Sequence, residues 1–160
     1  MRVGWGVDAH RFAAEGQVLL AGVVADANRG IEATSDGDVA AHALIDALLG
    51  AAALGDIGNH YPSDDPQWAD ADSMTLLADT AGRVAGDGFA IVSVDLTVVS
   101  ELVRIGPIRE AMRLALAATL ELPVTAVSVK ATTSDGLGFT GRDEGLAAFA
   151  VAVLEESPAG

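Results

Sequence analysis

The stretch SDGDVAAHALIDALLGAAALGDIG, from Ser35 to Gly58, constrains the rest of the chain more than any other. Ser35, Asp36 and Asp38 place oxygen acceptors where the orphan N–H groups of a helix start need them. The alanine- and leucine-rich run from Val39 to Leu54 has high helix propensity, and Gly55 is placed to end it. At helical spacing Asp38, His42 and Asp46 fall on one polar stripe, while Val39, Leu44, Ile45, Leu48 and Leu49 supply apolar surface. A histidine inside such a stripe needs a partner.

The chain has three His. His10 follows Asp8 by two positions in RVGWGVDAHRF, a segment that reads as a strand, so both side chains project from the same face. Asp8, His10 and His42 then offer one carboxylate and two imidazoles, the ligand types of a tetrahedral zinc site with its fourth position open to substrate. A closed structural site would need a fourth protein ligand, with His60 or a carboxylate as candidates. Asp46, one turn beyond His42, reads either as an acceptor that orients the imidazole or as a solvated helix carboxylate.

Gly4-Trp5-Gly6-Val7-Asp8-Ala9 formally matches the glycine fingerprint of dinucleotide-binding folds. The context rejects it, because too little chain precedes it for a full strand and Gly16 interrupts any helix that should follow. Those glycines instead let backbone approach a neighbour or a ligand closely. Leu54-Gly55-Asp56-Ile57-Gly58 reads as a helix stop.

Elsewhere, alternation and turn residues predict strands at Met1–Phe12, Gln17–Val24, Ala90–Val99 and Thr125–Thr133, while Gly145–Glu156 fits helix or strand on periodicity alone and reads as a strand because the sheet otherwise lacks a partner there. Two more helices are expected, from Asp72 or Ser73 to Gly86 and from Pro107 to Leu122, with a loop at Arg29–Thr34 and a binding loop or lid at Asn59–Asp72. The expected fold is a single α/β (α+β) domain, residues 1–160, whose mixed β-sheet is covered by helices on one side. A hydrophobic fraction of 51% supplies one core, and the absence of Cys excludes disulfides and thiolate metal sites and fits a reducing cytoplasm. With no signal-peptide pattern and no membrane-length apolar run, the reading is a soluble, unprocessed, cytoplasmic protein.

A net charge of −14, with nine scattered Lys and Arg, excludes a nucleic-acid surface. An anionic substrate would be held by metal ions, backbone N–H groups and placed cations such as Arg104, Lys130 and Arg142. The segment from Lys130 to Gly145 is rich in hydroxyls and glycine and suits phosphate oxygens.

In their order and spacing, RVGWGVDAHRF, SDGDVAAHALIDALLGAAALGDIG, DPQWADADS and VKATTSDGLGFTGRDEG resemble the 2-C-methyl-D-erythritol 2,4-cyclodiphosphate synthases of the non-mevalonate isoprenoid pathway, over nearly the whole chain. The resemblance implies a homotrimer of single domains with active sites between neighbouring subunits. It implies one zinc per subunit on Asp8, His10 and His42, and magnesium or manganese as a second divalent ion on Asp135. By the same resemblance Thr34 and Thr133 would occupy catalytic positions. Ser35, Asp56, Ile57, Gly58, Tyr61, Asp65, Thr132 and Ser134 would contact the methylerythritol and phosphate parts of the substrate. Ser100, Val103, Ile105 and Gly106 would frame the cytosine, with Arg104 near the phosphates, and Phe139 and Arg142 would complete the site.

The implied reaction closes 4-diphosphocytidyl-2-C-methyl-D-erythritol 2-phosphate into the cyclic diphosphate and expels CMP. Its nucleophile is already an anion, so catalysis reduces to in-line positioning and charge neutralisation. Four positions depart from the family's pattern: Thr34 stands for a usual His, Val103-Arg104 for Pro-Lys, Asp135 for Glu, and Trp5 for a common His. Exchanging a charge-assisted bond for the neutral one of Thr34 costs on the order of 1 kcal/mol. Two alternatives are a catalytically weak trimeric relative that binds a nucleotide or isoprenoid diphosphate as a sensor, and a zinc phosphohydrolase giving linear products.

Overall fold

Strand β1, Arg2–Ala13, lies against helix α1, Val39–Ala52, with no side chain between them at two points. A Cβ on Gly4 would sit 1.9 Å from Ala47 O, and one on Gly6 2.0 Å from Ala43 O. The close approach expected of these glycines is therefore to the helix. In this computed structural model, which describes residues 1–157, the chain continues through β2 (Val18–Leu20), β3 (Val23–Asp26) and β4 (Gly30–Ile31) into α1. After α1 come α2 (Ile57–His60), α3 (Ser73–Gly86), β5 (Phe89–Val99), α4 (Arg109–Thr119), β6 (Val127–Thr132), α5 (Gly138–Gly141) and β7 (Gly145–Glu156). Pro158 to Gly160 of the expected domain fall outside the described residues.

The main sheet has the order β4-β1-β7-β5-β6, antiparallel except for the parallel pair β5/β6, and β2/β3 form a separate hairpin. This is a mixed α+β architecture. The helices cover one face. On β1 and β7, Gly4, Gly6, Ala148, Ala150 and Ala152 point into the core, while Val3, Trp5, Val7 and Phe149 stand exposed on the other face.

Helix α1 is apolar nearly all round because it is enclosed between the sheet and α3. The expected polar stripe is not a solvent face. Asp38 is completely buried as the N-cap, its carboxylate accepting from Ala40 N, Ala41 N, Ala21 N and Gly22 N at 2.7–3.1 Å. The helix also ends before Gly55: Ala53 takes the left-handed conformation, φ 62°, and its N–H returns to Gly50 O.

Several boundaries differ from expectation. Gln17–Val24 is not one strand, because a two-residue turn at Ala21 (φ 52°) and Gly22 (φ 72°) splits it into β2 and β3. Part of the Arg29–Thr34 loop pairs with Phe12 and Ala13 as β4. Asp56, read within a helix stop, starts α2 with a capping box to Asn59. The Asn59–Asp72 loop contains the end of α2 and a 3-10 turn at Pro66–Trp68 capped by Asp65. Short 3-10 turns at Gly106–Ile108 and Val124–Ala126 precede α4 and β6, and α4 stops at Thr119 rather than Leu122. No helix among the described residues is long and apolar enough to cross a membrane.

Candidate metal centre

The pleat of β1 puts Asp8 and His10 on the helix-covered face, and the first turn of α1 brings His42 over them. Asp8 Oδ2 lies 2.9 Å from His10 Nε2 and 3.0 Å from His42 Nδ1, and the two nitrogens are 3.4 Å apart. A circle through these three atoms has a radius of about 1.8 Å, just inside the ~2.0–2.1 Å at which zinc holds such ligands, so one ion fits slightly above their plane. His10 turns its other nitrogen, Nδ1, to the Glu32 carbonyl at 3.3 Å, which leaves Nε2 for a metal.

Burial acts to raise the Asp8 carboxyl, but hydrogen bonds and attraction from both imidazoles outweigh it and hold Asp8 well below the usual carboxylate range. The hydrogen bond to Asp8 raises His10 above its ordinary value, against the opposing effect of burial. Below its raised value His10 is an imidazolium facing the ionised Asp8, and a bound cation would take the place of that proton.

A cleft of about 260 Å³ opens beside the triad, and Thr34, Ser35, Ile57, Gly58, Tyr61 and Trp68 help to line it. Tyr61 contributes its ring: its hydroxyl donates to Asp79 Oδ2 at 2.6 Å, and Trp68 packs edge-on against it. Asp46 does not orient His42. It accepts from Ile57 N at 2.8 Å and so joins α1 to α2, and burial raises its carboxyl. The partner of His42 Nε2 is Ser73 Oγ, at 2.8 Å. No local pattern signals Ser73, because it reaches His42 only through the packing of α3 on α1.

The expected site residues from Ser100 to Gly106 and from Thr132 to Asp135 form a second group at the ends of β5 and β6. Ser100 N donates to Thr132 O at 3.1 Å, joining the 100–106 and 132–135 segments. Glu101, which sequence reasoning did not single out, reinforces this by accepting from Ser134 N and Gly136 N at 3.0 and 3.2 Å. Val103 and Ile105 bury their side chains in the core, so they can offer a ligand only backbone. Arg104, Gly106, Thr132, Thr133 and Asp135 are exposed, and Asp135 has a positive φ of 55°. Arg142 pairs with Glu144 at 2.9 Å and Lys130 with Asp95 at 2.5 Å. Phe139 lies in a different depression, beside His10 and Gly145.

Register separates the two groups within one chain. Ala9, Ala147, Val99 and Thr132 form one row across β1, β7, β5 and β6. At about 4.8 Å per strand, the β1 ligands and Thr132 are on the order of 14 Å apart.

A one-layer sheet backed by helices, with a carboxylate and two imidazoles converging at a cleft, defines a mixed α+β protein with a candidate metal site. The chain belongs to the YgbB family, which it matches over residues 1–155. It is 51% identical to the 2-C-methyl-D-erythritol 2,4-cyclodiphosphate synthase of Halorhodospira halophila, an alignment covering 99% of this chain and 98% of that one. Among solved structures it resembles a 2C-methyl-D-erythritol-2,4-cyclodiphosphate synthase in a CDP-bound form, with a TM-score of 0.88, 34% identity, and coverage of 96% of this chain and 100% of that one. It also resembles the bifunctional IspDF of Campylobacter jejuni, with a TM-score of 0.94 and 41% identity over 97% of this chain; there the match spans 42% of the longer protein.

Proposed function

We propose that this chain catalyses the reaction for which its relatives are named, converting 4-diphosphocytidyl-2-C-methyl-D-erythritol 2-phosphate to 2-C-methyl-D-erythritol 2,4-cyclodiphosphate and CMP in the cytoplasm. The observation that carries the proposal is the convergence of Asp8, His10 and His42 beside Thr34 and Ser35, in a chain half identical to a named synthase over its whole length. An oxygen of the 2-phosphate forms a bond to the β-phosphorus while the bond from that phosphorus to the CMP oxygen breaks, and no proton need be abstracted.

Zinc held by Asp8, His10 and His42, and magnesium or manganese held by Asp135, would neutralise charge on the diphosphate. The chain's own residues position the ends. The Thr34 and Thr133 hydroxyls donate at the transferring phosphoryl. Ser35 and the Asp56–Gly58 turn hold the methylerythritol, with the Tyr61 to Asp65 segment closing over it. Backbone from Ser100 to Gly106 frames the cytosine, while Arg104, Thr132, Ser134 and Arg142 meet the phosphates and Phe139 packs at the edge.

The family resemblance implies a homotrimer in which each active site combines the metal ligands of one subunit with the 100–106 and 132–135 segments of its neighbour, and the separation of these two groups within one chain supports a site shared between subunits. The exposed Val3, Trp5, Val7 and Phe149 support this assembly, since apolar side chains side by side on a bare sheet face favour association. The binding-only alternative has no structural feature of its own. The test combines sedimentation with chromatography of the nucleotide product: a trimer that releases CMP only when divalent metal is present supports the proposal. A monomer, or CMP release that survives chelation, contradicts it.

A further inference from the structure

The contacts of the His42 ring go beyond a set of three ligands. Its Nδ1 faces Asp8 and His10, so in the metal-bound form the ring proton belongs on Nε2, which then requires an acceptor. Nε2 lies 2.8 Å from Ser73 Oγ, a completely buried hydroxyl at the first residue of α3. That hydroxyl has one hydrogen, and it is donated to Asp36 Oδ1, while Ser73 N donates to Asp36 Oδ2 at 2.9 Å. Asp36 therefore holds Ser73 by both its backbone and its side chain. Toward His42, Ser73 Oγ can present only a lone pair.

The hydroxyl is not required to start the helix. Asp72 already caps α3, accepting from Met74 N at 3.0 Å and from Thr75 Oγ1 at 2.8 Å. Among the described residues, the other hydroxyl near Nε2 is Ser35 Oγ, at 3.4 Å.

We propose that Ser73, held by Asp36, is a positioning residue that fixes His42 as an Nδ1 metal ligand. The chain Asp36–Ser73–His42 sets which nitrogen faces the ion and how the ring is turned, and it ties the metal site to the start of α3. The inference rests on the metal reading above and adds to it residues that touch neither metal nor substrate.

The test uses the full chain, zinc and a competing chelator, with histidine NMR as a second readout. In the zinc-loaded wild type, the His42 Nε2–H resonance exchanges slowly with water. Ser73→Ala loses that protection and weakens zinc binding about 10–100-fold, while Ser73→Thr, which keeps the hydroxyl, restores both. Wild-type zinc affinity in folded Ser73→Ala, or nitrogen shifts showing zinc on His42 Nε2, overturns the proposal. Should Ser73→Ala fail to fold, Asp36→Asn is read in its place: weaker zinc binding and faster Nε2–H exchange support the proposal, and unchanged values overturn it. A wild-type chain that takes up no zinc overturns the metal reading and this proposal with it, before any substitution is made.

Discussion

Gly6 and Ala43 lie in backbone contact: a Cβ on Gly6 would stand 2.0 Å from Ala43 O. Ala43 follows His42 and Gly6 lies two residues before Asp8, so this contact sets the distance between the strand and helix contributions to the candidate metal centre. Gly6→Ala must push α1 off β1, at a cost on the order of 3 kcal/mol. Urea unfolding is expected to show this loss, with zinc affinity falling in the fraction that remains folded. A variant of wild-type stability would mean that the strand and helix can separate without consequence.

Asp38 is a stability centre of a different kind. Its buried carboxylate accepts four backbone N–H groups, two at the start of α1 and two in the β2–β3 turn. Burial pushes its carboxyl up, and the N–H bonds oppose this. Asp38→Ala leaves those donors without an acceptor and is expected to cost roughly 2–4 kcal/mol. Asp38→Asn, with one oxygen left, falls between, as thermal or urea unfolding will show.

The hairpin turn illustrates why some of the fold was not legible. Alternation identified β1 and β5, and the alanine-rich run identified α1, because those signals are local, whereas β7 was settled only by the sheet's need for a partner strand. Ala21 at positive φ carries no turn signature of its own. Its conformation is supported by Asp38, which lies 17 positions further along the chain. The candidate metal triad was legible because spacing alone puts Asp8 and His10 on one strand face and His42 on a helix. Ser73 was not, and Asp46 stayed open between orienting His42 and facing solvent, because the packing of α3 and α2 decides which polar group reaches His42.

His10 gives the metal-free protein a pH dependence. Its folded value is raised above 6.5, so the stabilisation is fully present below that pH and is lost as pH rises through the raised value. Asp8, held low, stays ionised throughout this window. With chelator present, Tm is expected to fall as pH rises from about 6.5, and His10→Gln should flatten that fall. Zinc affinity should rise over the same range, because the ion and the proton compete for Nε2. An apo Tm indifferent to pH in that window would contradict the pairing.

Thr34 lines the cleft with a neutral hydroxyl. Restoring a charge-assisted donor there with Thr34→His is expected to raise turnover about fivefold, the equivalent of roughly 1 kcal/mol. Steady-state kinetics should place the gain in kcat rather than KM. A variant no faster than wild type would remove Thr34 from the transferring phosphoryl.

The central claim is that this chain closes a ring, and phosphorus NMR reads that outcome directly. The purified protein is incubated with 4-diphosphocytidyl-2-C-methyl-D-erythritol 2-phosphate, zinc and magnesium, beside a chelated control. The account predicts loss of the substrate resonances and matched growth of CMP and the cyclic diphosphate, only where metal is present. Intact substrate, or linear phosphate products, would contradict it.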